Sequence, residues 1–456
     1  MIAEAVPFLT QPLILKIEMA LLTSALVAIL VLLLVGSWVY CVLAAVAAHR
    51  YLAMSPSALR TFPPISVLKP LCGQDDRLEE NLRSFFIQDY PDYEILFAVH
   101  RLDDPAVAVA NKVRREFPQG PKVHLIETGQ PSVPNAKAHS LGQLVAQALH
   151  NILVMSDSDV YVPPDLLRRI AAEFQPADSQ KPPVGVVTCP YRAVPGQGFW
   201  SRLEAIGMNT EFLAGVLVAW LIGEMDFALG PTLAARREII EGMGGFAELG
   251  HYLAEDFVIG NRAPRLGYRV ILSSCIIEHR IGSQTFKGNL QHRLRWARST
   301  RRSRPAGYWG EIFTNPLPLA LLVWLAAPKL WPLVAVTVLF RALAAWSTAN
   351  RVLHDPLSRR RWWLIPLQDL ISGCVWVAGF FGKTIDWRGR RYKLLRDGRF
   401  QFVGSVPRTT AEGRQVHQTP AAPFHQPYIT PHEPEHVPSP SADDAPASEA
   451  FRQEQT

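Results

Sequence analysis

The sequence has few cysteines and few charged residues for its length. Its 456 residues include five cysteines and no CxxC pair, which argues against a disulfide framework and a zinc site. Charged residues make up 19% of the chain and hydrophobic residues 48%, a balance that is unusual for a purely soluble protein. We therefore expect membrane segments, together with a main domain in a reducing compartment.

The excess of positive charge is small, with 46 basic against 40 acidic residues. The basic residues gather beside apolar stretches and do not form a surface interleaved with aromatic residues. This pattern favours a membrane surface over nucleic acid, so we expect no nucleic-acid partner.

An almost wholly apolar run over residues 19–48 predicts the first transmembrane helix, because about 20 residues suffice to cross the hydrocarbon core. A cleaved signal peptide would be shorter and would begin with basic residues, whereas here Glu4 precedes the run and Arg50 follows it. The positive-inside rule then places the segment 1–18 outside and the chain after Arg50 in the cytoplasm.

Residues 60–310 are predicted to form a cytoplasmic catalytic domain of the α/β class. Short β-branched runs alternate there with amphipathic stretches such as Leu78–Phe86 and 105–117. This alternation indicates a mainly parallel sheet covered by helices, with ligands at the carboxyl ends of the strands.

The C-terminal membrane region is predicted over residues 313–385 and contains two apolar stretches, 316–349 and 362–382. Pro328 and Pro332 interrupt the first stretch. Hydropathy alone does not decide how many times these stretches cross the membrane.

Two topologies stay open. If the first stretch is a hairpin, the arginine triplet 359–361 is cytoplasmic and the basic juxtamembrane segment 386–403 lies outside. If only one half of it crosses, these two positions are exchanged. Residues 404–456 are rich in Pro, Ala, Ser and Gln and predict a disordered tail.

The most informative short motif is Asp157-Ser158-Asp159, directly after the apolar strand predicted at 152–155. Two carboxylates separated by one residue can face a divalent cation such as Mg²⁺ or Mn²⁺. Such a cation neutralises the leaving phosphate of a nucleoside diphosphate. Solvated turn residues are the alternative interpretation.

A second acidic pair, Asp103-Asp104, follows the predicted strand 94–99. A carboxylate there can accept hydrogen bonds from a nucleotide base or ribose. The alternative is a helix N-cap ahead of Pro105 at the first helical position.

Further along, Asp256 introduces a helical stretch, and His292, Arg295 and Trp296 lie in a later one. The carboxylate can deprotonate an attacking hydroxyl, while Arg295 and Trp296 can hold a diphosphate or an acceptor. The alternatives are an acid that complements a helix dipole and an anchor at the membrane interface.

In this order the four features resemble the D, DxD, D, (Q/R)xxRW series of membrane-bound GT-A glycosyltransferases. Over roughly residues 20–395 the chain also resembles the ceramide glucosyltransferase family. Within that family it most resembles the bacterial hopanoid-biosynthesis glycosyltransferase branch. The family resemblance rests on residues 64–70, 88–91, 135–137, 244–246 and 387–390, and the branch resemblance on 200–203, 207–209 and 305–308.

The resemblance implies a GT-A fold and a role for each matched residue. These roles are uridine contact for Asp104 and Asp103, proximity to the nucleotide for Lys137, binding of the metal and diphosphate for Asp157 and Asp159, the catalytic base for Asp256, and completion of the diphosphate and acceptor site for Arg295 and Trp296.

Two histidines need separate interpretation. His292 stands where the family motif has Gln or Arg; it can still donate a hydrogen bond to phosphate, but its charge varies near neutral pH. His279 follows a predicted strand and lies within possible reach of the metal, yet we expect a structural histidine there.

The function implied by the resemblance is an inverting, single-displacement transfer of glucose or N-acetylglucosamine from a UDP-sugar to a membrane lipid. The acceptor is expected to be a hopanoid polyol or a ceramide, and the protein an integral protein of a bacterial inner membrane. The apolar stretch 212–222 predicts an interfacial helix that brings the site to the bilayer, with a buried core helix as the alternative.

Two other functions were weighed against this one. A processive polysaccharide synthase shares the four motifs but needs enough membrane helices to enclose a channel, and the chain offers about three or four apolar segments. An inactive membrane scaffold would have lost acidic motif residues, and none is missing. A nonprocessive lipid glycosyltransferase is therefore favoured.

Overall fold

The computed structural model describes residues 6–54, 58–175, 180–387 and 390–405. The chain divides into two units, Met1–Val406 and Pro407–Thr456, and the second unit lies outside the described residues. The same holds for nearly all of the predicted tail, from residue 406 onward, and for residues 388–389 of the predicted basic segment.

Thirteen strands are present in the described part of the chain. They are β1 (Ile65–Pro70), β2 (Tyr93–Val99), β3 (Lys122–Glu127), β4 (Ile152–Ser156), β5 (Val160–Tyr161), β6 (Val184–Thr188), β7 (Tyr191–Pro195), β8 (Thr232–Arg236), β9 (Arg269–Leu272), β10 (Ile277–Ile281), β11 (Thr384–Trp387), β12 (Arg390–Leu394) and β13 (Phe400–Ser405).

The central sheet has seven strands in the order β3-β2-β1-β4-β8-β6-β9. The first four are parallel to one another, β8 runs antiparallel to both of its neighbours, and β6 pairs with β9 in parallel. Strands β4 and β6 are buried along their whole length, which explains their unbroken apolar sequences. The predicted α/β fold with a mainly parallel sheet is confirmed.

A second sheet, in the order β5-β10-β7, lies where the chain leaves β4. Its strand β10 pairs with β5 so that His279 stands opposite Val160. Because β5 begins directly after Asp159, this pairing brings His279 to the acidic motif.

Sixteen α-helices lie in the described residues. They are α1 (Val6–Leu52), α2 (Leu78–Phe86), α3 (Pro105–Glu116), α4 (Ala136–Gln147), α5 (Leu166–Glu173), α6 (Phe199–Gly207), α7 (Leu213–Ile222), α8 (Arg237–Gly242), α9 (Gly245–Leu249), α10 (Glu255–Arg262), α11 (Phe286–Ser303), α12 (Pro305–Gly310), α13 (Pro316–Ala326), α14 (Pro332–Ala345), α15 (Pro356–Arg360) and α16 (Ile365–Gly379).

Three helical segments in the described residues are long and apolar enough to cross a membrane: Leu15–Leu52, Phe199–Ile222 and Pro328–Val352. The first is mostly exposed, with Leu22 and Leu32 at 70% and 72% of full exposure, as expected for side chains that face lipid. These segments associate the protein with a membrane. The second predicted C-terminal stretch forms only the 15-residue helix α16 after a short turn.

The segment Phe199–Ile222 is one continuous helix in which a π-helical stretch, Met208–Phe212, joins α6 to α7. Its small residue Ala214 packs with Ala44 of α1 and Ala344 of α14. The segment is thus largely packed inside a layer of helices, which agrees with the core-helix alternative more than with a separate interfacial helix. The short side chains explain the close approach of the three helices.

A buried ion pair joins three parts of this layer. Arg341 of α14 contacts both carboxylate oxygens of Asp369 in α16 at 2.8 Å, and both residues are at most 3% exposed. The same guanidinium donates to the backbone oxygen and the hydroxyl of Thr210 at 3.1 and 3.2 Å. Its full set of partners offsets the desolvation of both charges.

Replacing Arg341 alone is expected to destabilise the protein, because Asp369 would remain as an unpaired buried charge. For Arg341→Met we predict a loss of about 3–5 kcal/mol, seen as a lower Tm in detergent micelles. The double variant Arg341→Met/Asp369→Leu should recover most of this loss. A double variant as unstable as the single one would contradict the account.

Candidate active site

The acidic motif lies at the carboxyl end of β4, beside the carboxyl ends of β1 and β2. Asp157 and Asp159 face three basic groups supplied by other elements: Lys137 of α4, Lys69 of β1 and His279 of β10. The sheet therefore brings together residues that are far apart in sequence, at the edge where ligands of such folds bind.

Lys137 is the centre of an ion network. Its Nζ lies 2.7 Å from Asp157 Oδ1 and 3.2 Å from Glu255 Oε1. Burial alone would lower the pKa of Lys137, but the charges of Asp157, Glu255 and Asp256 outweigh it and raise the pKa. The predicted site residues Lys137, Asp157 and Asp256 thus lie in one electrostatic cluster.

The position of Lys137 is set by Asn135, the N-cap residue of its helix. The side chain of Asn135 caps α4, accepting hydrogen bonds from the backbone N–H groups of Lys137 and Ala138 at 3.1 and 3.2 Å. Its amide nitrogen also donates to Glu255 Oε2 at 2.8 Å. One buried asparagine therefore fixes α4 relative to the start of α10.

Asp256 lies in the first turn of α10, next to Glu255. Burial and the charge of Glu255 raise the pKa of Asp256 to about 7, although Lys137 opposes the shift. A carboxyl with such a pKa can exchange a proton near neutral pH. Gly230 closes over this side chain: a Cβ at that position would lie 2.7 Å from Asp256 Oδ2.

Asp159 is held by His279, whose Nε2 lies 3.2 Å from Asp159 Oδ2. Burial alone would raise the pKa of Asp159, but His279 and Lys69 lower it. Its other oxygen, Oδ1, is buried without a hydrogen-bond partner. An ionised, partly unsatisfied oxygen of this kind fits a divalent cation, although no cluster of three or more His, Cys, Asp or Glu ligands occurs in the described residues.

The first acidic pair divides into two different environments. Asp103 is exposed and pairs with Arg101 at 2.8 Å. Asp104 caps α3, accepting hydrogen bonds from the backbone N–H groups of Ala106 and Gly73, both at 2.9 Å. The geometry of Asp104 is that of the N-cap alternative, and it also ties α3 to the loop after β1.

The last motif lies on α11. His292 Nδ1 contacts Glu204 Oε1 of α6 at 2.5 Å, and the Trp296 ring stacks at an angle on His292, 4.9 Å between centroids. The Arg295 guanidinium lies 5.5 Å from the centre of the Trp387 ring in β11. His292 and Trp296 thus contact the apolar helix segment, while Arg295 contacts the C-terminal sheet.

No site role was predicted from the sequence for Lys69, Glu255 or Glu204. Lys69 is fully buried, and its Nζ donates to the backbone oxygen of Asp157 at 2.8 Å. Burial lowers its pKa to about 7, although Asp157 and Asp159 oppose this shift. A lysine inside an otherwise apolar strand was the available signal, whereas Glu204 offered none because its partner lies 88 residues away.

Comparison with known proteins identifies the family of the chain. The family model described as Glycosyl transferase family 21 matches residues 26–400. Ceramide glucosyltransferase 3 of Caenorhabditis elegans is 25% identical over 352 residues, 74% of each chain. Beta-monoglucosyldiacylglycerol synthase of Synechocystis is 24% identical over 293 residues, 62% of this chain and 58% of that protein.

Among solved structures, the mannosyltransferase PcManGT from Pyrobaculum calidifontis, in complex with GDP-Man and Mn²⁺, is similar with a TM-score of 0.45 and 20% identity. The match covers 78% of this chain and 99% of that one.

Adding a methyl group at Gly230 is expected to displace the Asp256 carboxylate. Gly230→Ala should lower turnover by at least about tenfold, because a carboxylate moved by about 1 Å no longer meets its reaction partner. Gly223→Ala is the matched control, since a Cβ there meets no atom within 4 Å. The Tm of each variant establishes that it is folded. Equal turnover of the two folded variants would show that Asp256 need not occupy this position.

Proposed function

The chain belongs to glycosyl transferase family 21, and we propose that it moves glucose or N-acetylglucosamine from a UDP-sugar to the hydroxyl of a membrane lipid with inversion at the anomeric carbon. Glycosyl transfer to lipid follows from the family and its relatives. The inverting mechanism, the UDP-sugar and the acceptor are the proposal.

The observation that carries the proposal is the Asp256 carboxyl, whose pKa of about 7 suits a general base, in one ion network with Asp157. A base and a diphosphate-binding group on neighbouring elements are what a single displacement requires. The acceptor hydroxyl must lie between them.

In the donor site, Asp157 and Asp159 would hold a divalent cation, Mg²⁺ or Mn²⁺, together with the diphosphate oxygens. When bound, this cation neutralises charge on the leaving diphosphate. Arg295 adds a positive charge to the same diphosphate, and Trp296 contributes to the acceptor site. Lys137 pairs with both Asp157 and Glu255.

In the chemical step, Asp256 accepts the proton of the lipid hydroxyl. The freed oxygen forms a bond to the anomeric carbon on the face opposite UDP, while the bond from that carbon to the diphosphate oxygen breaks. UDP leaves with the bonding electrons, and an α-linked donor gives a β-glycoside. Electrostatic stabilisation of the departing diphosphate lowers the barrier.

At the uridine end, Asp104 is proposed to act through the loop after β1. Its carboxylate already accepts hydrogen bonds from Gly73 and Ala106, so it shapes this loop beside the nucleotide. Asp103, paired with Arg101 on the surface, would make at most an outer contact. His292 would orient Trp296 through its contact with Glu204.

The acceptor is proposed to be a hopanoid polyol or a ceramide in a bacterial inner membrane, with the catalytic domain on the cytoplasmic side. The apolar helix segment Phe199–Ile222 supports a membrane-dissolved acceptor, because it joins Glu204 beside the motif helix to the packing surface of α1. The described residues contain three candidate spans, which favours a nonprocessive enzyme over a synthase that encloses a polymer channel.

The acceptor is tested with purified protein in lipid vesicles. Labelled UDP-glucose and UDP-N-acetylglucosamine are each offered with a hopanoid polyol, a ceramide or a diacylglycerol, and the labelled products are separated by chromatography. We expect one labelled sugar on a lipid. Polymer without labelled lipid would favour the processive synthase and contradict the proposal.

The role of Asp256 predicts a pH dependence. A base with a pKa of about 7 accepts protons only when ionised, so kcat/KM should rise as the pH increases through about 7 and then level off. Asp256→Asn should abolish turnover and retain UDP binding.

A second variant tests the cause of the shift. Glu255→Gln removes the neighbouring negative charge and should move the rising limb of the pH profile to lower pH, because that charge raises the pKa of Asp256. Turnover retained by Asp256→Asn would place the base elsewhere.

A further inference from the structure

We propose that the C-terminal sheet β11–β13 is a positioning element of the active site. It holds Arg295 through the ring of Trp387, and it holds the loop before Asp256 through Arg399. This inference rests on the proposed roles of Arg295 and Asp256. It gives a function to a segment that the sequence predicted as a basic stretch beside the membrane with a family motif at residues 387–390.

The apolar core of the sheet includes one residue of the catalytic domain, Leu253. Ile385, Tyr392, Leu394 and Phe400 are each at most 5% exposed, and Leu253, three residues before Asp256, is buried among them. Because a core of this kind forms only when its parts meet, the sheet and the loop around Leu253 depend on each other.

Main-chain hydrogen bonds connect the same loop to the sheet. The backbone N–H of Phe400 donates to the carbonyl of His251 at 3.1 Å, and the N–H of Leu253 donates to the carbonyl of Gly398 at 3.4 Å. Tyr252 and Arg399 form an antiparallel bridge between these two bonds. The loop before α10 thus adds to the edge of the C-terminal sheet.

Side chains strengthen this junction. Arg399 pairs with Glu248 at 2.8 Å and donates to the Tyr252 hydroxyl at 3.2 Å. The guanidinium groups of Arg399 and Arg262 lie 5.3 and 5.1 Å from the centre of the Tyr252 ring. Two cations against one ring restrict the orientation of Tyr252.

The other side of the loop contacts the ion network of the active site. The amide of Asn135 donates to the backbone oxygen of Tyr252 at 3.0 Å and to Glu255 at 2.8 Å. The loop is therefore held between the sheet and α4, and Asp256 follows at its end. Loosening the sheet side would allow Asp256 to move relative to Lys137.

The second connection runs to α11. Arg298 donates to the backbone oxygens of Phe381 and Thr384 at 3.0 and 2.8 Å, which fixes the start of β11 on this helix. Nearly one turn earlier on α11, the Arg295 guanidinium lies over the Trp387 ring. The ring limits the directions in which Arg295 can extend towards a diphosphate.

The Trp387 connection is tested by UDP affinity. Trp387→Leu keeps an apolar side chain against Tyr392 and Phe400 but removes the aromatic face, so UDP should bind about tenfold more weakly and the donor KM should rise similarly. Trp387→Phe, which restores a ring, should recover most of the affinity. Arg391→Ala, which breaks an exposed ion pair with Asp386 on the same sheet, is the matched control and should behave as the wild type.

Combining variants separates positioning from general loosening. If Trp387 acts through Arg295, Trp387→Leu should weaken UDP binding no further in the Arg295→Ala background. Additive losses of UDP affinity in the double variant would overturn this part of the inference. It would also be overturned if Arg295→Ala bound UDP weakly while Trp387→Leu bound it normally. Normal UDP affinity in Arg295→Ala would overturn the proposed role of Arg295 in binding the diphosphate, and with it the proposal that Trp387 positions Arg295.

Arg399 should affect kcat and leave UDP affinity unchanged. Arg399→Ala is expected to lower kcat several-fold with little change in UDP affinity, and Arg399→Lys should restore part of the rate. Loss of UDP affinity equal to the loss in kcat would show a general structural role and contradict the proposal. The Tm of every variant in detergent establishes that the protein compared is folded.

Discussion

The charge balance around Lys137 is the interaction on which the active site depends. Asp157, Glu255 and Asp256 converge there, and an unpaired buried carboxylate costs several kcal/mol or loses its charge. Lys137 pairs with Asp157 and Glu255, and burial raises the pKa of both Asp157 and Asp256 against the opposing charge of Lys137. Of the two carboxylates in the acidic motif, only Asp159 has a lowered pKa, because His279 and Lys69 lie beside it.

The helix segment Phe199–Ile222 is one of the connections between the helical layer and the catalytic domain. The segment Phe199–Ile222 contacts the motif helix through Glu204 and the buried Arg341 through Thr210, and it packs on α1 through Ala214. The π-helical stretch lies between these contacts, at residues 208–212. Side chains on this segment therefore contribute to the position of the catalytic domain relative to the helical layer.

Much of the fold could be predicted from the sequence, because its strands and helices have strong local patterns. Helix α2 has the predicted bounds, and strands β2 and β4 lie where apolar runs predicted them. The reversed direction of β8 could not be predicted, since it depends on pairing with strands about 45 to 80 residues earlier in the chain. The C-terminal sheet was missed for a related reason. Its many arginines obscured the alternation of buried Tyr392 and Leu394 with exposed neighbours.

The sequence indicated which residues belong to the candidate site better than it indicated which of them are in contact. The spacing of Asp157 and Asp159 indicated a carboxylate pair, and the position of His279 after a predicted strand indicated its approach only as the alternative to a structural histidine. No sequence pattern indicates that Lys69 faces this pair. The environment of Asp104 follows the N-cap pattern that was the alternative at that position. Long-range pairings of this kind are fixed by the sheet and not by local sequence.

The most direct test of the central claim, a single displacement with Asp256 as base, is the anomeric configuration of the product. Full-length protein in lipid vesicles is given an α-linked UDP-sugar and the lipid acceptor, and the linkage of the glycolipid is determined by proton NMR. The account predicts a β-linkage with the large coupling of diaxial protons. An α-linked glycolipid would contradict it, because retention requires a different mechanism.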